Sequence, residues 1–167
     1  LEKVSGEGPT CQSGCHVIDA IVNCKAAEAK HEGIRFTYRV NIPQMPNIEP
    51  SDLCAVLSNQ LENAIEACRQ LTNKEKWIRV SIWMQTEKMI FLKVINPVQK
   101  NPIPLDGHMM TSKKEDGRRH GIGLTSIQAV AEKYNGVMRV ECHKGQFTSL
   151  VFLCSKPAVG ENQEGEH

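Results

Sequence analysis

The order of helix-like and strand-like apolar patterns along the chain restricts its fold more than any other feature of the sequence. Apolar residues recur at helical spacing in three segments and alternate at strand spacing in others. The predicted helices cover residues 15–32, 51–71 and 121–134. The predicted strands cover residues 34–40, 77–84, 89–95, 136–142 and 146–154. The last four strands form two hairpins, so the pattern predicts an α/β (α+β) two-layer sandwich: a mixed, mainly antiparallel sheet of about five strands, covered on one face by three helices.

The remaining segments predict how the chain is organised around one core. A length of 167 residues suits a single domain. Residues 1–14 carry glycine, proline and serine outside any apolar pattern, so we expect a linker there and the domain at 15–156. Residues 97–120 lack apolar periodicity, which is typical of a functional lid. We expect the acidic, polar stretch 157–167 to be a flexible tail.

Charge and cysteine content disfavour several classes of protein. The formal net charge is only +1, from 20 basic and 19 acidic side chains, so we expect neither nucleic acid nor a direct membrane contact as partner. No apolar run approaches the roughly 20 residues that cross a bilayer. The 7 cysteines are an odd number without a CxxC pair, which favours a reducing, cytoplasmic compartment over a disulfide scaffold.

Two asparagines in the second predicted helix are candidates for binding a cation or a phosphate. On a helical wheel, Asn63 and Glu66 lie within about 40° of Asn59 and opposite the apolar stripe. Asparagine is a mediocre helix former, so a pair at i and i+4 lowers local stability. The pair is either part of a solvated face or two amide oxygens aimed at one hard cation such as magnesium.

A glycine pair at the start of the third predicted helix is a candidate phosphate site. Residues 120–124, with the sequence HGIGL, run directly into this helix. The free N–H groups and the positive dipole end at a helix N-terminus attract phosphate oxygens. Lys113, Lys114, Arg118 and Arg119 precede the glycines and supply cations suited to a polyphosphate. Taken alone the glycine pair is a weak signal, and four basic residues could equally serve solubility.

Together these motifs resemble the GHKL ATP-binding fold, also called the Bergerat fold. The resemblance is carried by NQLENAIEA at 59–67, the Asn96-Pro97 pair at a strand end, TSKK at 111–114 and HGIGL at 120–124. With VIDAIV at 17–22, the chain is most similar to the AgrC-like histidine kinases of the peptide-pheromone quorum-sensing type. Each motif is weak alone, whereas their order and spacing over residues 15–153 are specific.

The resemblance implies ATP and Mg²⁺ as cofactors and assigns residues to them. Asn63 would ligate Mg²⁺, and Asn59 occupies the catalytic position at which related ATPases carry a water-activating glutamate. Asn96 replaces the aspartate that receives the adenine amino group, and its Oδ1 can accept the same hydrogen bond. The other implied ATP-binding residues are Lys113, Lys114, His120, Gly121, Gly123 and Leu124, of which Leu124 suits packing equally well.

The chain departs from the family pattern at several positions. The DxGxG that follows the adenine aspartate in the broader family is replaced by NPVQK at 96–100. Glu62 stands where an aspartate is commoner, and Glu66 where many histidine kinases place a basic or aromatic group near the phosphates. No segment resembles the one that bears the phosphoacceptor histidine, so we expect the acceptor on a separate domain.

The resemblance implies the ATP-binding catalytic domain of a two-component sensor histidine kinase. Such a protein-histidine kinase transfers the γ-phosphate of ATP to a histidine on a dimerisation domain. That domain and a downstream response regulator are the implied partners, and the implied location is the cytoplasmic part of a membrane-anchored receptor. The alternatives are a GHKL-type ATPase or serine kinase, and a non-catalytic nucleotide-binding or docking module that shows no nucleotide-induced thermal shift.

Overall fold

A computed structural model describes residues 3–44, 47–72, 74–101 and 120–155. In these ranges the helices are α1 (His16–His31), α2 (Pro50–Arg69) and α3 (His120–Lys133). The strands are β1 (Val4–Glu7), β2 (Arg35–Asn41), β3 (Trp77–Thr86), β4 (Met89–Pro97), β5 (Val137–His143) and β6 (Gln146–Cys154). None of the helices in these ranges combines the length and the apolarity needed to span a bilayer.

The strands form one six-stranded sheet in the order β1-β2-β3-β4-β6-β5. Only the β2–β3 pair is parallel, and the other neighbours are antiparallel. Alternate side chains of each central strand are buried, as at Ile78, Val80 and Ile82 of β3, while those between them are more exposed. The buried rows meet the apolar stripes of the helices in one core. The predicted sandwich, with a mainly antiparallel sheet and three helices, is confirmed.

The first helix ends at the glycine that its sequence pattern indicated. Gly33 has a φ of 68°, the left-handed conformation that glycine adopts without steric cost. The N–H of Ile34 donates to the carbonyl of Ala29 at 2.8 Å, and that of Gly33 to Lys30 at 3.1 Å. This pair of bonds is a Schellman motif, and it turns the chain directly into β2.

The predicted linker at residues 1–14 is wrong for most of its length. Residues 4–7 form β1, which pairs antiparallel with β2, so the sheet has one strand more than expected. Beyond β1, Cys11 and Ser13 are buried. The carboxylate of Asp19 on α1 accepts bonds from the N–H and the hydroxyl of Ser13 at 2.8 and 2.6 Å. This segment is therefore part of the domain.

Other predicted boundaries lie outside the described residues. These are most of the lid, since residues 102–119 are not described, and the tail at 157–167. The strand before the lid continues to Pro97, two residues beyond its predicted end. The closing hairpin turns at Lys144 and Gly145, as predicted.

Candidate functional site

Two carboxamides project from α2 on its half-buried side. The Nδ2 of Asn59 donates to the carbonyl of Ala55, one turn earlier, at 2.7 Å. This bond fixes the amide plane and leaves Oδ1 as the free acceptor. Asn63 lies one turn further on, where side chains are about 5–6 Å apart at Cβ. No described residue donates to Oδ1 of Asn59, and the side chain of Asn63 makes no hydrogen bond with the described ranges.

The first turn of α3 lies against Asn59. A Cβ atom added to Gly123 would stand 3.1 Å from Oδ1 and 3.6 Å from Cγ of Asn59. A larger residue here would require the Asn59 side chain to shift by a few tenths of an ångström. The fold therefore brings together two predicted site residues from helices that are distant in sequence. The start of α3, whose first N–H groups have no partner within the helix, therefore lies beside the carboxamide of Asn59.

The third asparagine lies on the sheet. Asn96 of β4 is 3% exposed and shares the buried face of that strand with Leu92 and Val94. Its Nδ2 donates to the carbonyl of Pro97 at 3.0 Å. Its Oδ1 accepts no hydrogen bond from the described part of the chain. Oδ1 is therefore the atom of this amide that can still accept a hydrogen bond.

Gln60 was not predicted as a site residue, yet it connects α2 to the strand of Asn96. The side chain is 2% exposed, and its Nε2 donates to the hydroxyl of Ser149 at 2.9 Å. The same nitrogen lies 3.3 Å from the carbonyl oxygens of Leu92 and Ser149, on β4 and β6. Gln60 therefore holds α2 in register with both strands. The available signal was its place among Leu57 and Leu61 on the apolar stripe, where a polar residue needs a buried partner.

A charged cluster joins α1 to α2 beside Asn63. Lys25 of α1 bonds Glu28 at 2.8 Å and also bonds Glu62, the residue before Asn63. Burial alone lowers the pKa of Lys25, but the bonds to the two glutamates outweigh it and raise that pKa. Arg69, the last residue of α2, bonds Glu28 at 2.9 Å. The cluster fixes the α2 face that carries the asparagines.

At the opposite end, α2 and α3 are joined through a buried tyrosine. Tyr134 is 1% exposed and follows directly after α3. Its hydroxyl donates to Oδ2 of Asp52 at 2.7 Å and accepts from the N–H of Glu49 at 2.9 Å. Lys133 bonds the same Asp52 oxygen at 2.6 Å. Desolvation is the largest cause that raises the pKa of Tyr134, and the bond to Asp52 adds to it.

The other predicted residues have separate outcomes. His120 and Gly121 form the start of α3, as the glycine pattern indicated. Leu124 is partly buried and packs against the core, which agrees with its alternative role in packing. Lys113 and Lys114 lie outside the described residues. Among the predicted residues, the described structure places Gly123 of α3 beside Asn59 of α2.

Comparisons with known proteins agree with this architecture. The family model of the GHKL domain matches residues 48–153. The catalytic domain of the histidine kinase ThkA superimposes with a TM-score of 0.63 at 16% identity, over 93% of this chain and 97% of that one. The mycobacterial sensor histidine kinase MprB gives 0.61 at 16% identity, over 93% and 99% of the two chains. The Acinetobacter baumannii histidine kinase AdeS gives 0.59 at 11% identity, over 94% and 70%.

No curated protein sequence matches the chain. At these identities, the solved structures establish the fold. The family model covers more than half of the chain. The protein therefore belongs to the GHKL family of ATP-binding domains and has the fold of the catalytic domains of sensor histidine kinases.

Proposed function

We propose that the chain is the catalytic domain of a sensor histidine kinase. In this proposal it binds Mg²⁺-ATP between α2 and the start of α3 and presents the γ-phosphate to a histidine on a separate domain. The contact between Gly123 and Asn59 is the observation that carries the proposal. It supports the proposal because helix N–H donors and a carboxamide acceptor next to each other would suit a metal-bound polyphosphate.

The donor set of α2 fits magnesium. Hard cations of this kind take oxygen ligands, and the carboxamide of Asn63 makes no hydrogen bond within the described residues. When bound, Mg²⁺ would neutralise charge on the phosphate oxygens. Asn63 would supply the protein ligand, while Gly121 and Gly123 let phosphate oxygens approach the backbone N–H groups of α3. Lys113, Lys114 and His120 are proposed as further phosphate contacts.

The sheet would hold the base. Because Nδ2 of Asn96 is engaged with Pro97, Oδ1 is the atom that faces a ligand. It would accept a hydrogen bond from the exocyclic amino group of adenine. Guanine carries a keto oxygen at the position of that amino group, and this oxygen would face Oδ1 of Asn96, a second acceptor. Asn96 therefore favours adenine over guanine.

The chemistry of the cleft favours transfer to a histidine over hydrolysis of ATP. Phosphoryl transfer depends mostly on positioning and charge neutralisation. An acceptor imidazole is itself the nucleophile, so it needs no carboxylate to activate it. Asn59 carries a neutral amide, and this amide already donates to Ala55. The isolated chain should therefore hydrolyse ATP only feebly, in contrast to a GHKL ATPase.

We further place the protein in the peptide-pheromone subfamily of these kinases. The proposal is supported by the NQLENAIEA and VIDAIV motifs and by the replacement of DxGxG after Asn96. Its partners would be its own phosphoacceptor domain and a response regulator. Its location would be the cytoplasmic part of a membrane-anchored receptor.

Phosphorylation of a histidine tests the function. A longer chain that includes the phosphoacceptor domain should incorporate the γ-phosphate of ATP as an acid-labile, base-stable phosphohistidine. Asn63→Ala should reduce the rate at least about 100-fold, since the metal ligand is lost. Asn41→Ala, at an exposed position of β2, is the matched control and should leave the rate unchanged.

The alternatives give different results. Phosphoserine would indicate the serine kinase, and rapid phosphate release by the isolated chain would indicate an ATPase. A docking module would show no thermal shift with Mg²⁺-ATP, whereas ligand at 100-fold over Kd stabilises a folded protein by roughly 2.7 kcal/mol. Any of these three results would contradict the histidine kinase.

A further inference from the structure

β5 lies at one edge of the sheet, and within the described residues no strand pairs with its outer side. β5 pairs with β6 on one side and with no described strand on the other. Its seven residues contain no proline, and their register with β6 is regular throughout. Natural proteins usually block such edges with prolines, bulges or a covering segment, because free N–H and C=O groups pair with other strands.

The turn that joins β5 to β6 determines which backbone groups of β5 face the edge. Lys144 and Gly145 have φ values of 48° and 73° and connect the opposed residues His143 and Gln146. A two-residue turn of this kind is flanked by a hydrogen-bonded pair. Every second residue of β5, counted from His143, therefore bonds β6. The N–H and C=O groups of the residues between them point to the free edge, and these residues are Met138, Val140 and Cys142.

The exposed face of β5 carries two opposite charges that form no ion pair within the described part of the chain. Arg139 and Glu141 are both exposed, and they lie opposite Leu150 and Thr148 of β6. Neither forms an ion pair with any residue in the described ranges. The pattern of the strand is therefore a positive and a negative side chain placed symmetrically about Val140.

We propose that β5 pairs with β5 of a second copy of this chain, antiparallel and about a two-fold axis at Val140. Val140 then lies opposite Val140 of the second copy, and Met138 lies opposite Cys142 of the second copy. These are the residues whose backbone groups face the edge, so each opposed pair can exchange both of its N–H···O bonds. Arg139 lies opposite Glu141 of the second copy, and the axis repeats this ion pair.

The charges select this register over its neighbours. A shift by two residues places Arg139 opposite its own copy in one direction and Glu141 opposite its own copy in the other. Like charges directly opposite each other are destabilising. A shift by one residue pairs edge-facing backbone groups with groups already bonded to β6. In the selected register, Val137, which is 43% exposed, also packs against His143 of the second copy.

The pairing is small and should be weak. One edge strand buries far less than a standard interface of about 1,600 Å², so we expect a dissociation constant of roughly 0.1–1 mM for the separate chains. The two ion pairs are exposed, and their contribution should fall as salt is added. The pairing does not depend on the proposed nucleotide site.

Sedimentation equilibrium of charge variants tests the pairing. The wild-type chain, over about 0.02–2 mM, should show a reversible monomer–dimer equilibrium. Arg139→Glu and Glu141→Arg should each weaken it at least about tenfold, because both ion pairs become repulsive. The double variant Arg139→Glu/Glu141→Arg should restore it to within about threefold, because the opposed charges are complementary again. Arg39→Glu, at an exposed position on β2, changes net charge equally and should leave the dimer intact.

Hydrogen exchange of the wild-type chain provides a second measurement that needs no variant. The amides of Met138, Val140 and Cys142 should become protected as protein concentration rises, while those of Arg139 and Glu141 are protected at all concentrations. A chain that stays monomeric to 2 mM, about twice the weakest expected dissociation constant, would overturn the proposal. So would a dimer that Arg139→Glu leaves unchanged or that the double variant fails to restore.

Discussion

The glycine at position 123 sets how closely α3 approaches α2. Its Cα faces the carboxamide of Asn59, and a methyl group there would compress the Oδ1 contact to 3.1 Å. Real Cβ atoms rarely come so close to an oxygen, so Asn59 would have to move. Because Nδ2 is tied to Ala55, the movement would disturb the hydrogen bond that orients the amide. This residue therefore links the shape of the cleft to the position of an acceptor inside it.

Enlarging residue 123 should weaken binding of the phosphates selectively. We expect Gly123→Ala to lower the affinity for Mg²⁺-ATP several-fold and Gly123→Val at least about tenfold, with adenosine binding unchanged. Isothermal titration with the two ligands separates the effects. Ala129→Val, at an exposed position of α3, is the control. An equal loss for ATP and adenosine would argue against phosphate contacts at this helix start.

A second residue, Asp19, fixes the segment between β1 and α1. Burial alone raises the pKa of its carboxyl group, but bonds from Ser13, Cys11 and the N–H of Gly14 outweigh this and lower it. A carboxylate whose pKa is lower in the folded than in the unfolded state stabilises the fold above the unfolded pKa. That contribution is lost as the pH falls through the folded pKa.

Asp19→Asn should therefore lower the free energy of unfolding by about 1–3 kcal/mol at neutral pH, because charge-assisted bonds are lost. The difference from the wild type should shrink as the pH falls below about 4, where the wild-type carboxyl also becomes protonated. Urea unfolding at a series of pH values measures it. Glu87→Gln, in the exposed β3–β4 turn, is the control. A difference that stays constant down to pH 2 would rule out this role of the charge.

Among the elements, α2 and α3 are held together at both ends of their contact. Gly123 meets Asn59 at one end, and Tyr134 bonds Asp52 and Glu49 at the other. Tyr134 follows the end of α3 and faces the start of α2. Its hydroxyl accepts a hydrogen bond from the Glu49 N–H, which has no partner within α2. The spacing of the two helices, and with it the width of the cleft, depends on this bond pair.

Removing the hydroxyl should destabilise the helix pair without changing its packing. Tyr134→Phe should lower the free energy of unfolding by about 1–2 kcal/mol, since the N–H of Glu49 loses its acceptor and Asp52 loses a donor. Thermal unfolding should show a decrease of roughly 2–8 °C. Tyr38→Phe is the matched control, because in the described structure its hydroxyl makes a hydrogen bond, at 3.0 Å, with the exposed Thr10. Equal losses in the two variants would contradict a special role for Tyr134.

Sequence patterns predicted most elements because their apolar periodicity is local. The alternation in β2 and the stripe of α2 specify which face is buried, whatever the rest of the chain does. β1 was not predicted, because its sequence VSGE has only one large apolar residue and contains a glycine. Its strand geometry comes from pairing with the edge of β2, a contact between residues 30 to 36 positions apart. Non-local pairing of this kind leaves no periodic signal.

For the molecule as a whole, the site was only partly predictable. Helical geometry alone places Asn59 and Asn63 on one face, and the glycines alone indicate a helix start. Their approach to each other depends on the packing of α2 against α3, which the sequence does not display. Gln60 was missed for a related reason, since its partners Leu92 and Ser149 come from strands that meet only in the folded sheet.

The most direct test of the nucleotide site is a Mg²⁺-ATP titration of the ¹⁵N-labelled chain, followed through asparagine side-chain amide signals. The site predicts shifts of Asn59, Asn63 and Asn96, and of the Gly123 backbone amide, with the Asn63 shift lost when Mg²⁺ is removed. Asn23 of α1, whose side chain is bonded to the backbone of Cys11, should not shift. If millimolar Mg²⁺-ATP left all three site asparagines unshifted, or moved Asn23 instead, the nucleotide site and the kinase function built on it would be contradicted.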